Sequence, residues 1–202
     1  MDLRVVKNTK TKGNAISTDE QLVDAARSGD QKAFAELVRK YEARVAATVI
    51  GMLGNCSEAD DVGQETFIRF YKALDSYRGD SSLATYLTRI AINLSLNELK
   101  RRKRRFSLFS RSATDDLPDV PDTKNGALPY EDRELVRWGL RKLQPEFRAV
   151  LVLRLLDGYS TEETAQILRV PLGTVLSRLA RAQMKLRDIL KPFYGDESCE
   201  TT

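Results

Sequence analysis

Apolar residues that recur in steps of three and four are the strongest constraint on what this chain can fold into. The segment from Pro171 to Leu186 reads PLGTVLSRLARAQMKL, and a helix here would gather one apolar stripe: Val175, Leu179, Ala182, Leu186 and Ile189. Similar spacing runs through residues 34–49 and 83–94. The 202 residues contain only 6 Pro and 11 Gly, too few for the turns of an all-β fold. The pattern therefore predicts an all-α protein.

The composition excludes several classes of function. The chain has no histidine, which removes the usual general base and most transition-metal sites. Cys56 and Cys199 lie far apart without partner ligands. We therefore expect no enzyme activity, no catalytic, cofactor or metal site and no small-molecule substrate. The start has no apolar run, and no stretch approaches the ~20 apolar residues of a membrane span, so we expect a cytoplasmic protein without stable membrane insertion.

A change in composition divides the chain into two small helical domains. Residues 106–129 are rich in Pro, Gly, Ser and Asp and lack periodicity, which predicts a flexible acidic linker. Helical patterning occupies 17–105 before it and 130–192 after it. The polar ends, 1–16 and 193–202, are predicted to be disordered tails.

The C-terminal domain has the pattern of a helix-turn-helix. Ser160-Thr161-Glu162-Glu163 forms a capping box before the short helix TEETAQIL, and Arg169-Val170-Pro171 predicts a turn into the next helix. The second helix of this motif enters the major groove, where side chains contact bases and phosphates. Beside the apolar stripe lie the candidate contacts Thr174, Ser177, Arg178, Arg181 and Lys185. A helical hairpin with solvated arginines is the alternative.

The long helix of the N-terminal domain carries a second informative face. It begins near Ser81 or Ser82 and ends in six consecutive basic residues, Lys100 to Arg105. Polar and aromatic residues form a stripe next to its apolar side: Tyr86, Arg89, Asn93, Asn97, Lys100 and Arg104. A ring can stack on an unpaired base, amides can read base edges and cations can bind phosphates. The alternatives are a core tyrosine with a solvated helix end, or a basic run that binds an anionic membrane surface or an acidic protein.

An acidic cluster precedes that helix in SEADDVGQETF. Asp61 and Glu65 share one helical face beside Asp60, and a magnesium site needs several converging oxygens. No second acidic cluster in the sequence pairs with this one, so helix capping and protein contact are favoured over metal-dependent catalysis.

Two blocks resemble the bacterial RNA polymerase sigma factors of the extracytoplasmic-function (ECF) group of the sigma-70 family. EADDVGQETFIRFYKALDSYRGDSSLATYLTRIAINLSLNELKRRKRR is similar to region 2, and LQPEFRAVLVLRLLDGYSTEETAQILRVPLGTVLSRLARAQ is similar to region 4. The resemblance covers about Thr18 to Leu190. It implies two all-helical domains that bind core RNA polymerase, recognise and melt the minus-ten element, and recognise the minus-thirty-five element. It also implies a stress response and a masking anti-sigma factor.

The resemblance implies roles for individual residues. The polymerase-binding set is Asp61, Gln64, Glu65 and Phe67. The minus-ten set is Ala73, Tyr77, Arg78, Tyr86, Asn93, Asn97, Lys100 and Arg104, with a flipped base captured near Tyr77. The minus-thirty-five set is Thr174, Ser177, Arg178, Arg181 and Lys185.

Two rival functions remain open from the residues alone. A stand-alone helix-turn-helix regulator explains the C-terminal domain but not the acidic helix or the Tyr86–Arg104 stripe. An enzyme that acts on nucleic acid through Asp60, Asp61 and Glu65 is disfavoured by the missing histidine. Because two small modules of modest charge, net +4 overall, contact DNA weakly, the free chain is expected to bind DNA poorly.

Overall fold

The computed structural model describes residues 18–109 and 132–193, and all regular secondary structure in these residues is helical. The helices are α1 (Asp19–Arg27), α2 (Gln31–Leu53), α3 (Ser57–Lys72), α4 (Leu83–Phe109), α5 (Asp132–Lys142), α6 (Pro145–Leu151), α7 (Thr161–Leu168) and α8 (Leu172–Leu190). Short 3-10 turns cover Leu74–Ser76 and Lys191–Phe193, and a π-helical segment, Val152–Leu156, continues α6.

Local sequence signals fix several helix ends. Thr18 and Gln21 form a reciprocal capping box at α1, and Ser160 and Glu163 form the predicted one at α7. Each box satisfies backbone N–H groups that lack intrahelical partners. Gly54 ends α2 with φ of 82°, a left-handed conformation that favours glycine. These starts and stops depend on a few adjacent residues, so they can be read from sequence.

The N-terminal domain packs α1, α3 and α4 around α2. Phe70 of α3 and Leu87 of α4 are fully buried against Leu37 and Val49 of α2 in one apolar cluster. The face of α4 opposite this cluster, including Asn93 and most of the basic run, remains exposed. The packing therefore leaves a polar surface along α4.

The C-terminal domain has a core of its own. Leu140, Leu143, Leu151 and Ala182 form a buried cluster on which further side chains of α8 pack. The predicted apolar stripe of α8 faces this core. Val175 and Ala182 are fully buried, and the other members of the stripe are half-buried: Leu179, Leu186 and Ile189. The predicted all-α class and the two helical domains are confirmed.

The two domains also share a buried contact, which the sequence did not predict. Val152, Leu153 and Tyr159 belong to the same apolar cluster as the cores of α2 and α4. Of the predicted linker, residues 106–109 continue α4, while residues 110–129 lie outside the described residues, as do the predicted tails apart from Phe193. Within the described ranges, no helix has both the length and the apolar character that crossing a bilayer requires.

Candidate nucleic-acid and polymerase interfaces

Tyr77 and Tyr86 form a compact aromatic group at the N-terminal end of α4. Their ring centroids are 4.9 Å apart in an edge-on arrangement, and each also meets Phe70 edge-on at 6.0 and 6.1 Å, respectively. The Tyr77 hydroxyl donates to the Ser81 carbonyl at 2.9 Å, and desolvation raises the pKa of Tyr77. Both rings are half-buried, so the core holds them in place while part of their surface stays accessible.

An open cleft of about 250 Å³ lies against these rings. Its walls include Arg78, Asp80 and Arg89, and the Arg89 guanidinium lies 5.4 Å from the centre of the Tyr86 ring. Aromatic surface beside cations suits an unstacked base and its phosphate. Tyr77, Arg78 and Tyr86 of the predicted minus-ten set therefore meet in one place.

Arg27 of α1 fixes the backbone that leads into this cleft. Its guanidinium donates to the Leu74 carbonyl at 3.1 and 3.2 Å and to the Tyr77 carbonyl at 2.8 Å. This role was not predicted, because a basic residue in the last turn of a helix is ordinarily solvated or interacts with its own helix end. Arg27 contacts residues 47 and 50 positions farther along the chain, so no local sequence pattern indicates its role.

The basic run of α4 divides into cations that form an ion pair with Glu98 and cations that do not. Glu98 is only 7% exposed and forms ion pairs with Arg101 at 2.7 Å and with Arg102 and Arg105 at 3.3 Å. The other cations of the run are exposed and make no ion pair with any described residue: Lys100, Lys103 and Arg104. Lys100 and Arg104, both predicted to bind DNA, thus keep their charge available for phosphates. The signal that could have shown this is one glutamate three, four and seven residues before the arginines.

The predicted polymerase-binding residues lie on α3 in different environments. Asp61 and Gln64 are exposed, whereas Glu65 forms an ion pair with Arg69 at 2.8 Å and Phe67 packs partly into the core. Asp61 and Glu65 line an open cavity of about 330 Å³ together with Asn97 of α4.

The remaining members of the minus-ten set are spread along the domain. Asn97, predicted to contact DNA, lies beside the α3 acidic side chains rather than at the Tyr86 cleft. Ala73 is a half-buried cap residue at the end of α3, and Asn93 is exposed on α4. The structure therefore brings together only part of this set.

The predicted recognition helix is α8, which follows a turn at residues 169–171. Ser177, Arg181 and Lys185 are exposed, and Thr174 and Arg178 are half-buried. The Lys185 ammonium lies 5.9 Å from the centre of the Phe147 ring, which restrains that side chain. One face of α8 thus carries hydroxyl and cationic groups at the surface while the opposite face is buried.

Comparison with known proteins agrees with this architecture. The family model of sigma-70 region 2 matches residues 37–105, and that of sigma-70 region 4 matches residues 139–188. The RNA polymerase sigma-H factor of Pseudomonas aeruginosa is 36% identical, over 86% of this chain and 94% of the relative. The ECF RNA polymerase sigma-E factor of Escherichia coli strain K12 is 38% identical, over 87% and 95%, respectively. The chain belongs to the ECF group of sigma-70 factors.

This sigma factor is a promoter-directing transcription initiation factor, and the predicted family and function are confirmed. Members of the family are not enzymes. Among solved structures, CnrH in complex with the cytosolic domain of CnrY is similar with a TM-score of 0.62 and 29% identity, covering 86% of this chain and 97% of that one. The sigma factor RpoE from Bartonella quintana, in complex with the anti-sigma factor NepR, has the same fold, with a TM-score of 0.64 and 23% identity over 79% and 98% of the two chains.

Proposed function

We propose that this sigma factor docks on core RNA polymerase through α3 and reads the promoter at two separate places. The cleft at Tyr77 and Tyr86, together with the exposed part of α4, engages and melts the minus-ten element. The outer face of α8 reads the minus-thirty-five element in the major groove. The observation that carries the proposal is the arrangement along α4, whose N-terminal end lines the aromatic cleft and whose later turns carry Lys100 and Arg104, two cations without an ion pair to any described residue.

The geometry of the cleft supports base capture. Extruding a base from the duplex costs a few kcal/mol, and stacking on an aromatic side chain returns about 1–3 kcal/mol per base. Tyr86 offers ring surface to such a base, and Arg89 holds a positive charge beside it. Lys100 and Arg104 then hold the phosphate backbone farther along α4. Melting without ATP therefore depends on the sum of several modest contacts.

The minus-thirty-five contact is supported by side-chain placement on α8. Ser177 and Arg178 lie in the second turn of the helix, where recognition helices contact base edges. Thr174 precedes them by one turn. Arg181 and Lys185 lie farther along the helix, where their cationic groups suit contacts with phosphates.

The polymerase contact is supported by the exposed polar surface of α3. Asp61 and Gln64 make no hydrogen bond or ion pair with a described residue, so both are available to a partner. Glu65 adds a second carboxylate, and Phe67 supports the helix from the core side. Because Asp61 makes no ion pair with a described residue, its carboxylate favours a basic docking partner.

An anti-sigma factor is a further proposed partner. The Bartonella RpoE, which shares this fold, was solved with the anti-sigma factor NepR, and CnrH was solved with the cytosolic domain of CnrY. Transcription takes place beside the chromosome, so we also place this sigma factor in the cytoplasm. No small-molecule ligand enters the proposal.

Size-exclusion chromatography with sigma-free core RNA polymerase tests the docking helix. We expect the wild-type chain to co-elute with polymerase and the double variant Asp61→Arg plus Gln64→Ala to elute alone. Asp60→Arg is the matched control, because it reverses an exposed charge on the same helix at a position outside the proposed set. Circular dichroism should show that all three chains keep their helices.

The same preparations separate this function from a stand-alone DNA-binding regulator. A regulator protects duplex DNA from nuclease without polymerase, whereas this sigma factor requires polymerase. Failure of the folded wild-type chain to co-elute would overturn the proposed docking.

A further inference from the structure

Arg27, in the last turn of α1, uses every nitrogen of its guanidinium. Nε and Nη2 donate to the Leu74 carbonyl at 3.2 and 3.1 Å, and Nη2 also donates to the Tyr77 carbonyl at 2.8 Å. Nη1 forms an ion pair with Asp24 at 2.9 Å. Because arginine presents its donors as a rigid planar fork, these contacts fix the two carbonyls relative to α1.

The loop between Tyr77 and Ser81 has few other supports. The 3-10 turn Leu74–Ser76 ends at Tyr77, whose hydroxyl donates to the Ser81 carbonyl at 2.9 Å. Between these two points, residues 78–80 are exposed and make no hydrogen bond or ion pair with a described residue. Apart from the packing of its ring, Tyr77 therefore depends on Arg27 for its position.

This loop forms part of the wall of the cleft that contains Tyr86. Residues 76–81 supply one part of the lining, and Tyr86 and Arg89 of α4 supply the rest. Helix α4 is held in the core by Leu83 and Leu87, whereas most of the loop is exposed. The width of the cleft therefore depends on where the loop is held.

Helix α1 provides a fixed base for this contact. Three of its residues are buried in the apolar cluster of the N-terminal domain: Leu22, Val23 and Ala26. At the start of α1, Asp19 forms an ion pair with Lys40 of α2 at 2.6 Å and accepts a hydrogen bond from the Tyr41 hydroxyl. Arg27 therefore connects a firmly packed helix to an exposed loop.

A preformed cleft makes base capture more favourable. A loop that becomes ordered only when the base enters loses conformational entropy at that step, whereas a loop already held in place does not. Discrimination between bases also requires walls at fixed distances, because a wall that moves can accept bases of different shape. Arg27 does not line the cleft, so any effect that it has on base capture passes through the loop.

We propose that Arg27 is a positioning residue for promoter melting: by binding the Leu74 and Tyr77 carbonyls, it holds the loop at residues 77–81 as a preformed wall of the base-capture cleft. This inference rests on the proposed function, because it requires that the cleft receives a base of the minus-ten element. Loss of Arg27 weakens the opening of the duplex and the discrimination between bases, but it leaves polymerase binding through α3 intact.

Arg27→Gln tests this role, because glutamine is polar but lacks the forked donors that serve both carbonyls. Arg39→Gln is the matched control, since it removes the same charge from an exposed arginine of α2 whose side chain makes no hydrogen bond or ion pair with a described residue. The template is a promoter that the wild-type holoenzyme selects from a random duplex library, together with copies changed at single bases of the minus-ten element. Permanganate reactivity measures the rate of opening on each template.

On the selected promoter, Arg27→Gln should open the duplex up to roughly a hundredfold more slowly than the wild type, since a small displacement of a positioning group can have that effect. The ratio of opening rates between the selected base and its substitutes should also fall at the position of the captured base. Arg27→Lys should lie between the two, because its ammonium keeps the charge without the planar fork. Arg39→Gln should match the wild type, and all variants should bind core polymerase equally well.

The base ratios distinguish positioning from a merely structural role. Equal slowing on every template, with unchanged ratios, would mean that Arg27 only stabilises the fold and would overturn the proposal, as would wild-type rates for Arg27→Gln. If Arg27→Gln loses helix content by circular dichroism, Arg27→Lys replaces it and must show the same fall in the base ratio.

Tyr86→Ala, measured alongside, separates this inference from the proposed function. If Tyr86→Ala slows opening and Arg27→Gln does not, the positioning role is wrong and the cleft remains the site of base capture. If neither variant changes the opening rate, the cleft does not capture a base, and the positioning role is overturned together with that part of the proposed function.

Discussion

The rings of Tyr77 and Tyr86 meet edge-on with their centroids 4.9 Å apart, so two residues from different elements form one aromatic wall. The Tyr77 hydroxyl donates to the Ser81 carbonyl and closes the loop between them. The Tyr86 hydroxyl makes no hydrogen bond with a described residue. Tyr77 therefore stabilises the loop, whereas the ring of Tyr86 is available for stacking on a base.

Tyr86→Ala should slow promoter opening by roughly 5- to 150-fold, because it removes a stacking surface worth about 1–3 kcal/mol. Tyr86→Phe keeps that surface and should remain close to the wild type. Permanganate reactivity of unpaired thymines in the minus-ten element measures the opening directly. A template with a pre-melted bubble should restore much of the activity of Tyr86→Ala. Equal opening of duplex DNA by Tyr86→Ala and the wild type would exclude a stacking role.

Lys100 and Arg104 should account for a measurable part of the salt dependence of promoter binding. Each lost phosphate contact lowers the slope of log K against log salt by about 0.9, so Lys100→Ala plus Arg104→Ala should lower it by up to about 2. Arg101→Ala plus Arg105→Ala removes the same charge but takes it from side chains paired with Glu98. The slope for that control holoenzyme should stay near the wild-type value. Similar slopes for the two double variants would contradict the inference that the cations paired with Glu98 contribute less to phosphate binding than Lys100 and Arg104.

The parts of the fold that could be predicted are those fixed by neighbouring residues. The capping boxes at Thr18 and Ser160 each depend on a four-residue window, and the α8 stripe follows from helical geometry alone. The basic run was also visible, but its division was not inferred from it, although Glu98 precedes three of its arginines by three, four and seven residues. The effect of Glu98 depends on burial, which the sequence pattern does not reveal.

The contact between domains could not be predicted for a related reason. Thr48 and Gly51 interrupt the pattern of α2, but a threonine and a glycine in a helix have many possible explanations. Thr48 bonds to Asp157 and Gly51 lies against Val152, and both partners are roughly a hundred positions farther along the chain. Only the folded chain brings these residues together. The cleft at Tyr86 was predicted in part, since the ring and the cations were identified, but its support by Arg27 was not.

Arg169 should be a site where glycine increases stability. It ends α7 with φ of 54°, a left-handed conformation that costs residues other than glycine about 1–2 kcal/mol. Arg169→Gly should raise the free energy of unfolding by about 0.5–1 kcal/mol, because relief of strain is partly offset by the greater freedom of the unfolded chain. Urea denaturation of the full chain measures the change. Gly158→Ala provides the reverse test, since Gly158 has φ of 75° and no atom within 4 Å of an added Cβ, and it should lose about 1 kcal/mol.

The contact of Asp157 with α2 should stabilise the folded chain less as pH rises through a window near 4 to 6. Desolvation raises the pKa of Asp157 from 3.8 to about 6, against the opposing effects of Thr48 and Arg44 on α2. The folded carboxyl thus binds a proton that the unfolded one has already lost, so the stabilisation is greatest at low pH and falls until Asp157 is fully ionised. Thr48 Oγ1 lies 2.9 Å from Asp157 and 3.1 Å from the Arg44 carbonyl but has one hydrogen to donate. A protonated Asp157 can donate to Thr48 and allow both hydrogen bonds.

Asp157→Asn isolates this effect, because its amide can donate to Thr48 at every pH. Denaturation of both chains at pH 4.5, 5.5 and 7.5 gives a difference in unfolding free energy from which the titration of other groups cancels. We expect the wild type to lose about 1 kcal/mol relative to Asp157→Asn between the lowest and highest pH, a figure reduced for partial solvent exposure. The chain contains no histidine, so the side chain that usually titrates near pH 6 does not obscure the change. A difference that stays constant across this range would mean that Asp157 is ionised in the folded chain throughout, with Thr48 and Arg44 favouring the charged form.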